Sequence, residues 1–253
     1  MGKMTLPLLR KKKGHEKISM VTCYDASFAK LVEKSGVDSV LVGDSLGNVI
    51  KGESNTLGVS ISEMEYHVKA VKKGIATPFF IADMPFGSYQ ISLEKGLRNA
   101  VKLMKAGAEA VKVEGGAEVA KLISKLTSFG IPVVGHVGLT PQYVNKFGGF
   151  GKRGKTPEDW SFILESAKIV EKAGAEMIVL EGIPDKLAEE ITSILKIPTI
   201  GIGAGKSTDG QVLVLYDLLG MDSSFNPSFL KKYADLDEII TNALKAYGAD
   251  VKK

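Results

Sequence analysis

Five short apolar runs in this sequence each close on a side chain that can carry charge. VLVGD ends at Asp44, FIAD at Asp83, AVKVE at Glu114, VVGH at His136 and MIVLE at Glu181. An acid or imidazole at the end of a buried run stands at the mouth of a core. There burial shifts its proton affinity and a substrate can still reach it. Lys112 stands two residues before Glu114, so in an extended strand both face one side while Val111 and Val113 face the other. A lysine in mid-strand is costly to bury unless a carboxylate or a substrate anion lies beside it. A structural lysine–acid pair would explain one such residue. Four carboxylates, a lysine and a histidine at one rim argue for a reaction site, with Asp44 and Asp83 on adjacent strand ends and inward parity.

Carboxylates with no second histidine nearby and no thiolate cluster suit a hard divalent cation, Mg2+ or Mn2+, and not zinc. A partly filled cation beside a lysine suits an anionic, chelating substrate such as a 2-oxo acid. Other motifs carry less. GIGAGKS at 201–207 is not a P-loop, because Ile200 stands where the first glycine is required, and its glycines fit a tight rim loop. GGFGKRG at 148–154 fits a phosphate-holding loop or a mobile lid. Cys23 reads as a small core residue, and His67 as a partly exposed helix position.

The elements that must place these groups recur along the chain. KSGVDSVLVGD (34–44), KAGAEAVKVE (105–114) and KAGAEMIVLE (172–181) share a helix end, a glycine, an acid and an apolar run. Between them TPFFIAD (77–83), IPVVGH (131–136) and IPTIGIG (197–203) open on proline, which suits the start of a strand. Eight strands are predicted near 18–23, 38–43, 78–82, 110–114, 132–136, 176–181, 198–202 and 211–215. Amphipathic stretches fill most gaps: Phe28, Leu31 and Val32; Leu93, Leu97, Ala100, Val101 and Met104; Val119, Leu122, Ile123 and Leu126; Trp160, Ile163, Leu164 and Ala167; Leu187, Ile191 and Ile194. Regular alternation of strand and helix implies parallel pairing. Eight units imply a single-domain (β/α)8 TIM barrel over residues 1–253, whose C-terminal rim carries the chemistry. A doubly wound open sheet is the alternative. The link at 203–210 has room for a single turn only.

Composition narrows the function. At 44% hydrophobic and 25% charged, the 253 residues match a globular chain and exclude a disordered or fibrous one. One cysteine cannot form an internal disulfide, so a reducing, cytoplasmic setting is expected. No apolar run approaches the ~18 residues of a membrane span. A net charge of +4 spread over the chain does not call for nucleic acid. The run Arg10-Lys11-Lys12-Lys13 reads as a solvated N-terminal arm.

In order along the chain, MVTCYDASFA (20–29), VLVGDSLG (40–47), YHVKAV (66–71), FIADMPFGSY (80–89), AVKVEGG (110–116), GIPVVGHVGLTPQ (130–142), VLEGIP (179–184) and IPTIGIGAG with TDGQVLV (197–214) resemble the ketopantoate hydroxymethyltransferase family. The resemblance runs nearly end to end. It implies a Mg2+-dependent barrel enzyme, one Mg2+ per subunit. Such an enzyme transfers a hydroxymethyl group from 5,10-methylenetetrahydrofolate to 3-methyl-2-oxobutanoate, giving ketopantoate for pantothenate and coenzyme A biosynthesis. By the same resemblance Asp44 and Asp83 are direct metal ligands, and Glu114 reaches the metal through water. Ser45 and Lys112 hold the oxo acid, Glu181 is the base, and His136 belongs to the substrate site. A homodecamer of two stacked pentamers is implied as well. The chain departs from the family pattern at 51–60, which lacks a histidine, and at 203–208, which carries Lys206. Both departures bear on folate contacts and not on the metal site. Two rivals remain: another Mg2+ barrel of the isocitrate lyase type that cleaves C–C bonds, and a non-catalytic oxo-acid-binding barrel.

Overall fold

The computed structural model describes residues 2–253. Its elements run α1 (Leu6–Lys12), β1 (Ile18–Thr22), α2 (Ala26–Ser35), β2 (Ser39–Val42), α3 (Leu46–Val49), α4 (Ile61–Lys72), β3 (Phe79–Asp83), α5 (Leu93–Ala106), β4 (Ala110–Glu114), α6 (Ala120–Ser128), β5 (Val133–Gly138), α7 (Val144–Phe147), α8 (Pro157–Lys172), β6 (Met177–Glu181), α9 (Asp185–Ile194), β7 (Thr199–Ile202), β8 (Gly210–Leu213), α10 (Leu215–Leu218) and α11 (Leu236–Val251). Each strand pairs in parallel with the next. β8 returns to β1 from Ile18↔Gly210 to Val21↔Leu213, which closes the barrel. The open-sheet alternative is thereby excluded. Residues 203–209 pass from β7 to β8 as bends without a helix.

Strand alternation divides the apolar residues into two cores. Ile18, Met20, Leu41, Phe79, Ile81, Met177, Val179 and Ile200 pack with one another inside the barrel. Their strand neighbours Val21, Val40, Phe80, Val111, Val113 and Ile178 pack outward with the helices. Full burial of one such side chain is worth about 1.5–3 kcal/mol. The helix faces are offset from the expected ones at several positions. Leu31, Leu93, Val101 and Ile194 are exposed, and α5 buries the expected Ala100 together with Gly96, Asn99, Leu103 and Ala106.

The N-terminal run corrects a sequence expectation. It is not a solvated arm but a plug in the bottom of the barrel. Leu9, at the centre of α1, is fully buried among the interior residues. Around it four cations meet four acids, each just ahead of an even-numbered strand. Lys12 pairs with Asp38 and Lys13 with Asp209, each at 2.8 Å. Lys3 pairs with Glu109 at 2.6 Å and Arg10 with Glu176 at 2.8 Å. Asp38, Glu109 and Glu176 are the acids of the three KxGx(D/E) repeats. The repeat glycines Gly36, Gly107 and Gly174 take φ of 75°, 120° and 106°, which ends each helix and turns the chain into the strand. Three of the acids also accept backbone N–H groups near the start of the preceding odd strand: Ser19 to Asp38, Phe80 to Glu109 and Thr199 to Asp209. Burial alone would raise the Asp38 carboxyl, but Lys12 and the Ser19 donors hold it below its ordinary value. The repeat is thus a docking ring for the N-terminal segment.

Candidate active site

At the opposite rim the strands deliver the expected groups. β3 turns Phe79 and Ile81 inward, so Asp83 follows them, and β4 does the same for Ala110, Lys112 and Glu114. β5 carries His136 two residues past the interior Val134, and β6 carries Glu181 two past Val179. The register sets Asp83 beside Lys112 and Glu114 beside His136. Asp44 departs from the expected parity. β2 ends at Val42 with Leu41 facing in, so a straight continuation would turn Asp44 outward. The turn leading into α3 brings it back, and its backbone N–H donates to Asp83 Oδ2 at 3.0 Å.

The six groups form one continuous polar wall. Lys112 Nζ lies 2.8 Å from Asp83 Oδ1 and 3.9 Å from Glu114 Oε1. His136 Nδ1 lies 3.2 Å from Glu114 Oε1, and Nε2 lies 3.2 Å from Glu181 Oε2. Lys112 also approaches His136 Nδ1 to 3.1 Å. Asp44, Asp83, Lys112, Glu114 and His136 are buried, while Glu181 keeps 22% of its side chain exposed. Ser45 Oγ lies 2.8 Å from the hydroxyl of the buried Tyr24.

Burial and mutual repulsion set the charge states. Burial, then Asp83 and Glu114, raise the Asp44 carboxyl well above its ordinary value. Burial also raises Asp83, against the pull of Lys112. Burial opposes the charged form of Glu114 too, but His136 and Lys112 hold its carboxyl low. Burial and Lys112 disfavour the His136 imidazolium, yet Glu114 and Glu181 outweigh them and lift it to about 9. The ring lies at ion-pair distance from both acids, although its Nε2 makes no aligned hydrogen bond, and the nearby Lys112 charge is balanced by Asp83. Asp83 Oδ1 and Glu114 Oε1 sit at ion-pair distance from cations but take no well-aligned hydrogen bond. Buried acids in this state have room for a further positive partner.

Three residues of the site went unread as site residues: Gln142, Tyr89 and Tyr24. Gln142 follows β5 in the 3-10 turn Pro141–Tyr143 and donates from Nε2 to Asp44 Oδ2 at 2.9 Å. Tyr89 Oη accepts from the Glu114 N–H at 3.1 Å. The signal was present, since GLTPQ and FGSY stand among the motifs that carried the resemblance. Other expectations resolve more simply. Cys23 is a buried core residue whose thiol burial pushes up to about 11, too high for a nucleophile. His67 lies on α4, partly buried, its Nδ1 2.6 Å from the Tyr24 carbonyl oxygen. The 148–154 segment contributes Arg153, which stacks on Phe147 at 3.8 Å, pairs with Asp159, and lines a cavity of about 600 Å3 beside the rim. That cavity is lined in part by Gly115 and Thr140 but by none of the site's six charged groups.

A family model described as ketopantoate hydroxymethyltransferase matches residues 3–253. A Thermotoga maritima protein named 3-methyl-2-oxobutanoate hydroxymethyltransferase is 53% identical over 250 residues, covering 99% of this chain and 93% of its own. A protein of the same name from Clostridioides difficile is 51% identical over 237 residues, covering 93% and 86%. Among solved structures, phosphonopyruvate hydrolase in complex with oxalate and Mg++ is similar at a TM-score of 0.65 and 14% identity, covering 100% of this chain and 87% of that one. 2,3-Dimethylmalate lyase, a PEP mutase/isocitrate lyase superfamily member, is similar at 0.60 and 13%, covering 97% and 100%. At such identities these two likenesses concern the fold alone.

Proposed function

The chain belongs to the ketopantoate hydroxymethyltransferase family, and from that premise we propose that it carries a hydroxymethyl group from 5,10-methylenetetrahydrofolate to 3-methyl-2-oxobutanoate. The observation that carries the reading at the level of residues is the unbroken wall Asp83–Lys112–Glu114–His136–Glu181. It begins in a carboxylate–lysine pair suited to an oxo-acid anion and ends in a partly exposed carboxylate suited to take a proton.

Asp44 and Asp83 would hold Mg2+ directly, with Glu114 reaching it through water. What supports this is the all-oxygen donor set, its burial, the raised carboxyls of Asp44 and Asp83, and the poorly satisfied oxygens of Asp83 and Glu114. Among the described residues no three His, Cys, Asp or Glu side chains form a ready cage. Mg2+ is ordinarily held by one or two carboxylates with water and substrate completing its shell. Bound there, the cation would supply positive charge to the keto and carboxylate oxygens of the oxo acid.

The chain's own groups do the rest. Ser45, held by Tyr24, and Lys112 bind the substrate carboxylate and keto oxygen. Glu181 takes the proton from C3, the branched carbon beside the carbonyl. The electron pair of that C–H bond delocalises onto the keto oxygen, where Lys112 opposes the growing negative charge. C3 then bonds to the methylene carbon of the folate, both C–N bonds of that carbon break with their electrons left on nitrogen, water supplies the hydroxyl, and the two nitrogens take up the proton removed from C3 and the one that water gives up. His136, charged and fixed between Glu114 and Glu181, orients the base.

Assembly as a homodecamer of two stacked pentamers belongs to the same proposal. It is supported by α11, which buries none of its residues and leaves Ile239, Leu244 and Tyr247 exposed. A cytoplasmic location is proposed with it; among the described residues no helix is long and apolar enough to cross a membrane. An assay of purified protein with both substrates, with and without Mg2+, tests the proposed reaction. Metal-dependent ketopantoate formation is expected, and its absence refutes the reading.

A further inference from the structure

We propose that Gln142 is a positioning residue that sets the carboxylates of Asp44 and Glu114 in their metal-accepting orientations. The proposal rests on the metal site proposed above. Gln142 is buried, and every polar atom of its side chain is engaged. Nε2 donates to Asp44 Oδ2 at 2.9 Å and to the Met84 carbonyl oxygen at 3.0 Å. Oε1 accepts from the Tyr89 hydroxyl at 2.9 Å and from Gln90 Nε2 at 3.0 Å. The backbone N–H of Gln142 donates to Glu114 Oε2 at 3.0 Å. One residue therefore holds one oxygen of each of two carboxylates, one in the turn after β2 and one at the end of β4, and leaves the other oxygen of each free of it.

The direction of the amide is fixed from outside the site. Gln90 Oε1 accepts the Gly87 N–H at 2.8 Å, so Gln90 must present its Nε2 to Gln142. Gln142 must then present Oε1 to Gln90 and Nε2 to Asp44. Tyr89 Oη accepts the Glu114 N–H, which ties the same network to the end of β4. Polarity thus runs in one sense from a rim loop to the Asp44 carboxylate. A group that only filled space would not need this order. Residues that orient metal ligands from behind typically contribute 10–100-fold to metal affinity.

The test uses the full-length protein with Mn2+ alone as probe, its unbound fraction read from the EPR signal of the aqueous ion. Asp83→Ala serves as the control for the metal site, and circular dichroism reports the fold. Gln142→Met keeps the length and removes the polarity. It is expected to bind Mn2+ about tenfold or more weakly while remaining folded. At saturating metal its KM for the oxo acid should return to the wild-type value, which a general loosening of the site would not allow. Tyr89→Phe should weaken Mn2+ binding in the same direction but less. Affinity of Gln142→Met within twofold of wild type, in a folded protein, overturns the proposal. If Gln142→Met does not fold, Tyr89→Phe decides: weakened Mn2+ binding supports the proposal and unchanged binding overturns it. A wild-type protein that binds no Mn2+, or an Asp83→Ala variant that binds it normally, refutes the metal site itself and is a separate outcome.

Discussion

Lys112 and Asp83 are register partners on adjacent strands, and their charged atoms stand 2.8 Å apart inside the barrel mouth. A buried pair of this kind is costly to desolvate, and a well-packed apolar pair would serve stability as well or better. Its position at the rim points to use by a substrate anion.

Lys112→Met separates the two roles. Loss of the ammonium should raise KM for the oxo acid and also lower kcat, because the charge matters more as negative charge grows on the keto oxygen. Steady-state kinetics on a folded variant measure both. A variant that loses stability but keeps both constants would reduce Lys112 to a structural partner.

Asp83→Ala should lose metal affinity and turnover together while the barrel persists, since Asp83 lies at the rim end of β3 and not in the apolar interior. Calorimetric titration with Mg2+ alongside circular dichroism checks this. Normal affinity in the variant would move the metal elsewhere.

His136 gives a pH signature in the metal-free protein. Its pKa is raised to about 9 from the ordinary 6.5 by Glu114 and Glu181, against burial and Lys112. A raised folded pKa means that the charged ring stabilises the fold fully below the unfolded value, and that this contribution is lost as pH rises through about 9. Ring NMR signals should therefore titrate near 9, with stability falling over the same range. A midpoint near 6.5 would contradict the arrangement.

The plug at the other end should affect stability and not chemistry. Leu9→Ala empties a fully buried position and should cost about 2–5 kcal/mol, read as a lower denaturation midpoint, with KM values unchanged. A shifted KM would show that the bottom of the barrel communicates with the rim.

Strand placement and inward parity were legible because alternation leaves a direct mark on sequence. Val111 and Val113 against Lys112 and Glu114 is a two-residue period that only one register satisfies. What escaped was set by turns and by contacts distant in sequence. Asp44 turns inward only because the chain bends after Val42. Gln142 meets Asp44 across 98 residues, so neither neighbourhood shows the other. The basic run at 10–13 reads as solvated until the ring of acids at 38, 109, 176 and 209 is closed around it. The repeat was visible, but its purpose needed the barrel.

The proton at C3 of 3-methyl-2-oxobutanoate gives the most direct test, because its removal precedes any need for folate. Wild-type protein with Mg2+ and the oxo acid in D2O should exchange that proton, seen by NMR as loss of the coupling between the methine and its methyls. Glu181→Gln keeps the shape of the side chain and removes the base. It should still bind metal and oxo acid but exchange about a hundredfold more slowly, or slower still. Undiminished exchange in the folded Glu181→Gln protein would contradict the assignment of Glu181 as the base.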